Sequence, residues 1–536
     1  MKQAETETVD YCIVGSGAAG CVLANRLSEN GRFSVLLLEA GRRDTHPFIH
    51  IPAAFMFVYN DNRHNWRYES EPEPSLNNRT LLITQGKVLG GSSSINGMLH
   101  VRGQREDFDQ WAQSGCRGWS YDEVLPYYLK AETYHGKSRS DAELRGFAGP
   151  QGVSDAADVH PLTQAFVAGA QEIGFPFNPD MNGATRDGAA FFQHNRRGRF
   201  RSQPAQTYLR AARGRSNLRI EVEAVATRLL FDGTRATGVS YLQGGQSKTV
   251  FVRKEVILSA GVFKSPQLLQ LSGIGDPDHL RDIGVTPVAA NRAVGGNLRD
   301  HFLMTVVQRV KGIATLNERS RGLRLIKELL KYVFLADGAL TLGTGSAGAF
   351  FRSRPDLAAP DAQLMFVPGS YGPVPGILED QPGMSIGFWP SHPQSHGTVL
   401  ARSADPRDPP KIQTNFLSAD DDCRVVVECV KKSRGIFASR AMSRWSVAEV
   451  RPGTEARNDD EIVAYARQYG RSGMHLAGTC RMGGDNGAVL DPSLRVRGVS
   501  ALRVVDASVM PNCTVGNINA TVVAIAEKAA DMILSA

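Results

Sequence analysis

Nowhere in the 536 residues do five or six like charges run together, although 61 basic and 54 acidic side chains are present. Without such a block there is no basic arm of the kind that grips nucleic acid, so nucleic acid is excluded as a partner. The net charge of +7 then describes a well-solvated surface with a weak pull toward acidic surfaces. Long apolar runs are also missing. None reaches the roughly 18 to 20 residues that a spanning helix needs, so no transmembrane segment is expected and any membrane contact would be peripheral.

Cysteine is scarce and unpatterned. The seven residues Cys12, Cys21, Cys116, Cys423, Cys429, Cys480 and Cys513 show neither C-x-x-C spacing nor a cysteine/histidine metal pattern. That excludes a disulfide framework and a bound metal, and it predicts a reducing, cytoplasmic setting. The first ten residues, MKQAETETVD, lack the basic and apolar regions of an export signal. Internal repeats and low-complexity tracts are absent too.

What is present fills more than one core, because a 42% apolar chain of this length exceeds the size at which a single core keeps growing. From Tyr11 the text YCIVGSGAAGCVLANRLSENGRFSVLLLEAG reads as strand, glycine turn, helix and second strand. Within it, Gly15-Ser16-Gly17-Ala18-Ala19-Gly20 gives G-x-G-x-x-G. Gly15 serves the tight turn, Gly17 the close approach of a pyrophosphate, and Gly20 the packing of helix on strand. Glu39 ends the second strand, where a carboxylate can accept from ribose hydroxyls, and its charge disfavours the 2′-phosphate of NADP. The fingerprint alone does not separate FAD from NAD.

A glycine- and serine-rich loop, TQGKVLGGSSSINGM, follows, too small in side chain to be a packed element and read as facing a ligand. From about 218 to 260, strand-like pieces alternate with turns at Asp232-Gly233 and Gly244-Gly245. From about 312 to 451 the character changes. Proline and glycine become dense, and helical runs such as LRLIKELLKYVFL alternate with strand-like DAQLMFV and MSIGFW. A terminal helix is expected from about Thr521 to Leu534.

Five distant blocks, in order, carry a family pattern: GKVLGGSSSINGMLHVRG (86–103), VILSAGVFKSPQLLQLSGIG (256–275), VGGNLRDH (294–301), HLAGTCRMG (475–483) and LRVVDASVMPNCTVGNINATVVAIAEKAADMI (502–533). Together they resemble the glucose-methanol-choline (GMC) oxidoreductases, nearest the choline and alcohol dehydrogenase branch. The resemblance implies an α/β chain, α+β overall. A Rossmann-like FAD-binding domain would be made of residues 1–155, 214–311 and 455–536. The substrate-binding domain, an antiparallel sheet with helices, would be made of 156–213 and 312–454.

It also implies FAD and its contacts. These would be Gly15 to Gly20 with Glu39 and Ala40; Trp66, Val88, Gly91, Ser92, Asn96, Gly97, Met98 and Leu99 around the loop; Val225 at the adenine; and Asp506, Ala507 and Asn517 toward the flavin and ribityl chain. Some members attach the flavin through a histidine in the loop. Ile95 stands at that position here, so FAD is expected to be non-covalent. His475 matches the catalytic histidine, and imidazole suits a base that takes the hydroxyl proton as hydride leaves for flavin N5. Asn519 matches the second active-site position, where its amide can hold the substrate oxygen; its other role would be to cap the terminal helix. His301 reads as structural, and Glu527 and Lys528 as solvated.

Choline-oxidising members carry a carboxylate near where Ser346 falls, so a quaternary ammonium would lack its counterion. Met365, Phe366 and Tyr371 are instead expected to line a site for a primary aliphatic or aromatic alcohol. The reduced flavin would pass electrons to oxygen, a quinone or another carrier, with a dehydrogenase favoured. The same scaffold also supports hydroxynitrile lyases and light-driven fatty acid decarboxylases.

Overall fold

The strand Glu7–Val14 lies between Val35–Leu38 and Gln246–Leu258, parallel to both, and every residue of the VLLL strand is buried. Uninterrupted apolar strands of this kind belong in a parallel sheet covered on both faces. The computed structural model describes residues 7–138, 140–372 and 376–535. The polar start, residues 1–6, and residues 373–375 of the expected substrate wall lie outside the described residues.

Leu218–Glu221 completes one edge of this sheet and Leu502–Val504 pairs in parallel with Gln246–Leu258. The other edge is an antiparallel meander, Ala224–Asp232, Arg235–Gln243 and Gln246–Leu258, turning at the Gly233 and Gly244-Gly245 positions. Helix Ala18–Ser28 packs beside helix Asn519–Leu534, whose alanines and valines allow close approach. That terminal helix is buried nearly all round, which corrects the reading of Glu527 and Lys528 as solvated. Glu527 is fully buried and accepts from Arg26 at 2.8 and 2.9 Å and from the Tyr208 hydroxyl at 2.8 Å. An enclosed carboxylate persists only with such partners. Lys528 lies over the Trp119 and Tyr127 rings and reaches the Glu123 carbonyl.

A second sheet is antiparallel throughout, in the order Ser446–Arg451, Phe302–Val310, Gly383–Pro390, Ala362–Val367, Ala347–Phe351, Gly188–Phe191. Phe302–Val310 therefore belongs here and not with the first sheet, where the expected division placed residues up to 311. Helices Pro161–Glu172 and Asp420–Ala438 cover one face. Alternation decides what each strand offers. Met304, Val306, Leu364, Phe366, Met384, Ile386 and Phe388 face those helices, while Leu303, Thr305, Met365, Val367, Ser385, Gly387 and Trp389 face a cavity between the two sheets.

Candidate active site

The cavity measures about 430 Å³ and runs from the glycine turn to the second sheet. At its near end Gly15 adopts φ +100°, and a Cβ there would stand 2.4 Å from the Ser259 carbonyl oxygen. Gly20 does not line the cavity. A Cβ on it would fall 1.9 Å from the Gly15 oxygen, so its role is the contact of helix with turn. Gly17 caps helix Ala18–Ser28 without a side-chain bond, which leaves the first N–H groups of the helix open to the cavity. An uncapped N-terminus with its positive dipole end suits a pyrophosphate.

Glu39 is buried and accepts from Ser16 N (3.0 Å), Ser16 Oγ (2.6 Å) and Gly41 N (2.7 Å); burial raises its pKa above the ordinary carboxylate value, and these bonds oppose the rise. Its carboxylate thus holds the turn as well as bordering the cavity, beside Ala40 and Val225.

The loop lies directly on this turn: Gly90 N donates to the Ser16 carbonyl, and a Cβ on Gly91 would meet Gly17 Cα at 2.8 Å. Gly91, Ser92, Ile95, Asn96, Gly97, Met98 and Leu99 all line the cavity, with Trp66 opposite. Val88 does not. Its side chain is packed with Ile49, Val58 and Ile95 beneath the loop, because an apolar residue there is worth more inside than against a polar cofactor. Arg201, not foreseen from the sequence, pins the loop by bonding the Asn96 carbonyl (2.8 Å) and side chain (2.6 Å).

His475 is the one histidine lining the cavity among the described residues. Its chemistry is set by a chain of bonds that begins at a backbone carbonyl. Ser391 O can only accept, so His301 Nε2 carries a proton toward it (2.9 Å). His301 Nδ1 is then a lone pair and accepts from His475 Nδ1–H at 3.0 Å. His475 Nε2 is left as the free base, where Asn517 Nδ2 donates to it at 2.7 Å. Trp389 stacks on His301 and meets His475 edge-on, and the buried Asp300 carboxylate accepts from His475 N at 2.7 Å. His301 is thus structural in its burial but bonds the His475 ring directly. Asn517, expected at the flavin, reaches His475 with its Nδ2. Its buried Oδ1 has no partner among the described residues and fits a donor from cofactor or substrate.

Asn519 lines the cavity but caps nothing. It is the first helical residue, and its amide donates to Ser93 Oγ (2.8 Å) and accepts from Asn195 (3.3 Å). The cap position is Ile518, without a side-chain bond, so this helix also presents bare N–H groups to the cavity. Asp506 accepts from Gly261 N, Ser265 and Ser508, tying two turns together beside Ala507.

Burial lowers the His475 imidazole to about 4 and holds His301 well below its ordinary 6.5, so both rings are neutral at pH 7. A base lowered in this way is lost only as pH falls through its folded value. The reductive kcat/KM is therefore expected to stay level from about pH 8 down to about pH 5 and to decline only below that, as pH falls toward the folded value of about 4. An acid limb centred at or above pH 7 would contradict burial as the controlling influence.

On the substrate side the wall is formed by Met365, Val367, Tyr371, Leu303, Thr305 and Trp389, with Phe55, Met56 and Tyr59 across from them. Phe366 is not among them; it stacks on Phe166 on the helix face of its strand, one residue out of phase with Met365. Ser346 is also absent from the wall, its hydroxyl bonded to Thr163 at 2.8 Å. The carboxylates that line the cavity, Glu39 and Asp506, are those of the glycine-turn and Asp506 turns.

Comparison with known proteins agrees with this geometry. GMC oxidoreductase models match residues 9–303 and 393–526. Human mitochondrial choline dehydrogenase is 41% identical over 535 residues, covering 98% of this chain and 89% of that protein. The oxygen-dependent choline dehydrogenase of Sinorhizobium fredii is 40% identical over 532 residues, covering 98% and 95%. Among solved structures, pyridoxine 4-oxidase from Mesorbium loti superposes with a TM-score of 0.88 at 30% identity, over 97% of this chain and 98% of that one. A formate oxidase variant from Aspergillus oryzae, studied for its FAD modification, gives 0.92 at 28% identity over 99% of each. With the dinucleotide turn, the loop laid on it and the histidine beyond, the chain belongs to the GMC oxidoreductase family, whose cofactor is FAD and whose members act on CH–OH donors.

Proposed function

We propose that this enzyme oxidises a primary alcohol, aliphatic or aromatic, to the aldehyde, and that His475 Nε2 takes the hydroxyl proton. The observation that carries the reading is the hydrogen-bond chain from Ser391 through His301, which leaves Nε2 unprotonated at the cavity. FAD bound along the glycine turn and loop supplies the hydride acceptor. The substrate hydroxyl would replace the Asn517 amide at Nε2. As the proton arrives, His475 keeps its Nδ1–H on neutral His301, whose lone pair stabilises the imidazolium. Asn519 and Asn517 then hold the substrate oxygen, while Met365, Val367 and Tyr371 exclude water from the carbinol carbon.

Ile95 at the loop position, with no cysteine and no histidine but His475 in the cavity wall among the described residues, supports non-covalent FAD. Two domains are proposed, divided as the two sheets are. The seven free thiols fit a reducing compartment such as the cytoplasm. Relatives named choline dehydrogenases, one of them oxygen-dependent, support redox chemistry over lyase or decarboxylase activity and fit either oxygen or a carrier as electron acceptor.

A second reading has its own support. The relatives are named for choline, and Trp66, Tyr59, Tyr371 and Trp389 could face a quaternary ammonium through their rings. Among the described residues the wall on that side lacks a carboxylate, which favours the uncharged alcohol. Anaerobic flavin reduction by benzyl alcohol, a medium-chain alkanol and choline separates the two. At least about tenfold higher kcat/KM for an uncharged alcohol is expected, and a clear preference for choline would reverse the assignment.

A further inference from the structure

Helix Gly322–Leu330 and the wider turn Lys331–Leu335 that prolongs it are mounted with the apolar side outward. Leu323, Ile326, Leu330 and Phe334 recur at helical spacing, and all four face solvent, Leu323 at 84% and Phe334 at 74% exposure. The side against the protein is held instead by a carboxylate: Glu328 is buried, accepting from Arg319 Nε (3.0 Å) and Ala339 N (2.9 Å). An ordinary surface helix turns its apolar stripe to the core. At about 100° per residue, Arg324, Lys327 and Lys331 fall together along one flank of the exposed stripe.

The patch extends beyond the helix. Arg199, in the hairpin that carries exposed Phe200, donates to the Val333 carbonyl, and Arg201 of the same hairpin bonds the Ile49 carbonyl. Next to Ile49, Phe48 packs on Phe57 with ring centroids 5.1 Å apart, and Phe57 is 68% exposed. Phe57 points outward from helix Phe55–Tyr59, whose Phe55, Met56 and Tyr59 line the active-site cavity. Three separated segments thus form one apolar surface beside the wall of the cavity.

We propose that this surface docks on an anionic lipid bilayer, with the 322–335 segment lying in the headgroup plane. Charge complementarity selects this occupant. The apolar stripe has cations along its flank, and the acid of this segment, Glu328, is turned inward and meets only the last of them, Lys331. Arg324 pairs with Glu318 at 3.0 Å and Lys331 lies 3.9 Å from the inward Glu328 carboxylate, whereas Lys327 forms no ion pair among the described residues. Large apolar side chains bordered by Lys and Arg are what an interfacial helix presents to acyl chains and acidic headgroups. The attachment is peripheral, since no helix among the described residues is long and apolar enough to cross a membrane. It holds whichever alcohol is the substrate, and it sets the outer wall of the cavity against the bilayer, within reach of lipid-dissolved alcohols or electron carriers.

The test is co-sedimentation of the flavin-loaded enzyme with vesicles. Binding to phosphatidylcholine vesicles containing phosphatidylglycerol, weak binding to phosphatidylcholine alone, and release by about 0.5 M salt are expected. The triple variant Leu323→Ser/Ile326→Ser/Phe334→Ser should stay in the supernatant with its alcohol oxidation in solution unchanged. Lys327→Glu/Lys331→Glu should weaken binding by at least about tenfold. Wild-type enzyme that remains in the supernatant, or a triple variant that binds equally well, overturns the proposal. So does a vesicle-free dimer, seen by light scattering, that the triple substitution converts to monomer without any vesicle binding, because the occupant would then be a second copy of the chain.

Discussion

Alanine at position 475 is expected to give a folded, yellow protein whose flavin is reduced by alcohol about 10³-fold more slowly than wild type. The loss falls on chemistry because the histidine makes few bonds that hold the fold. Among the described residues its ring bonds only His301 and Asn517, while its backbone N–H donates to Asp300 and survives the substitution. His301 would keep its bond to Ser391 and its stacking on Trp389. Without Nε2 the hydroxyl proton has no base beside it: Asn517 and Asn519 offer only weakly basic amide oxygens, and the cavity carboxylates Glu39 and Asp506 are bonded within their own turns. Anaerobic stopped-flow bleaching of the flavin measures the rate. Acid precipitation of the same variant should release FAD into the supernatant, which separates cofactor loss from loss of the base. A reduction rate within a few-fold of wild type would remove His475 from the mechanism.

Gly15→Ala should abolish flavin binding altogether and lower the melting temperature. Its φ of +100° alone costs an alanine about 1–3 kcal/mol. The new Cβ would also press on backbone, 2.4 Å from Ser259 O and 2.7 Å from its carbonyl carbon. Neither side can yield cheaply, because Gly15 N is bonded to Leu38 O and Ser259 N to Val14 O, each at a sheet end. Gly17→Ala provides the control. Its Cβ meets only Ser259 O at 3.9 Å, so the fold should survive while the methyl stands where the pyrophosphate must approach. Flavin-to-protein absorbance ratio and thermal unfolding distinguish the two variants: Gly15→Ala loses both, Gly17→Ala mainly the flavin. A Gly15→Ala protein with normal flavin content would mean that the turn is held by something other than its glycine.

The dinucleotide unit was readable because its signals are local. Strand, turn and helix follow one another within 22 residues, Glu7 to Ser28, and each glycine answers a need of its own neighbourhood. The same holds for the meander, whose turns fall where Gly233 and Gly244-Gly245 supply positive φ. His475 and Asn519 were legible for a different reason, that their surroundings match a family pattern across distant blocks.

The sequence by itself determined the dinucleotide fold and singled out the glycine- and serine-rich loop and His475 as candidates. The tertiary structure decided which side of each strand meets the cavity and what each polar side chain bonds. Period-two alternation separates Met365 from Phe366 but does not say which of them faces the helices; only the packing of helix Pro161–Glu172 on that sheet does. The partnership that sets the base joins residues 174 positions apart, and Asn517 reaches His475 across 42. Likewise Glu527 is buried because Arg26 stands 501 residues away in sequence and 2.8 Å away in space. Hydrogen bonds and burial depend on distance through space, and chain order constrains that distance only within a single element.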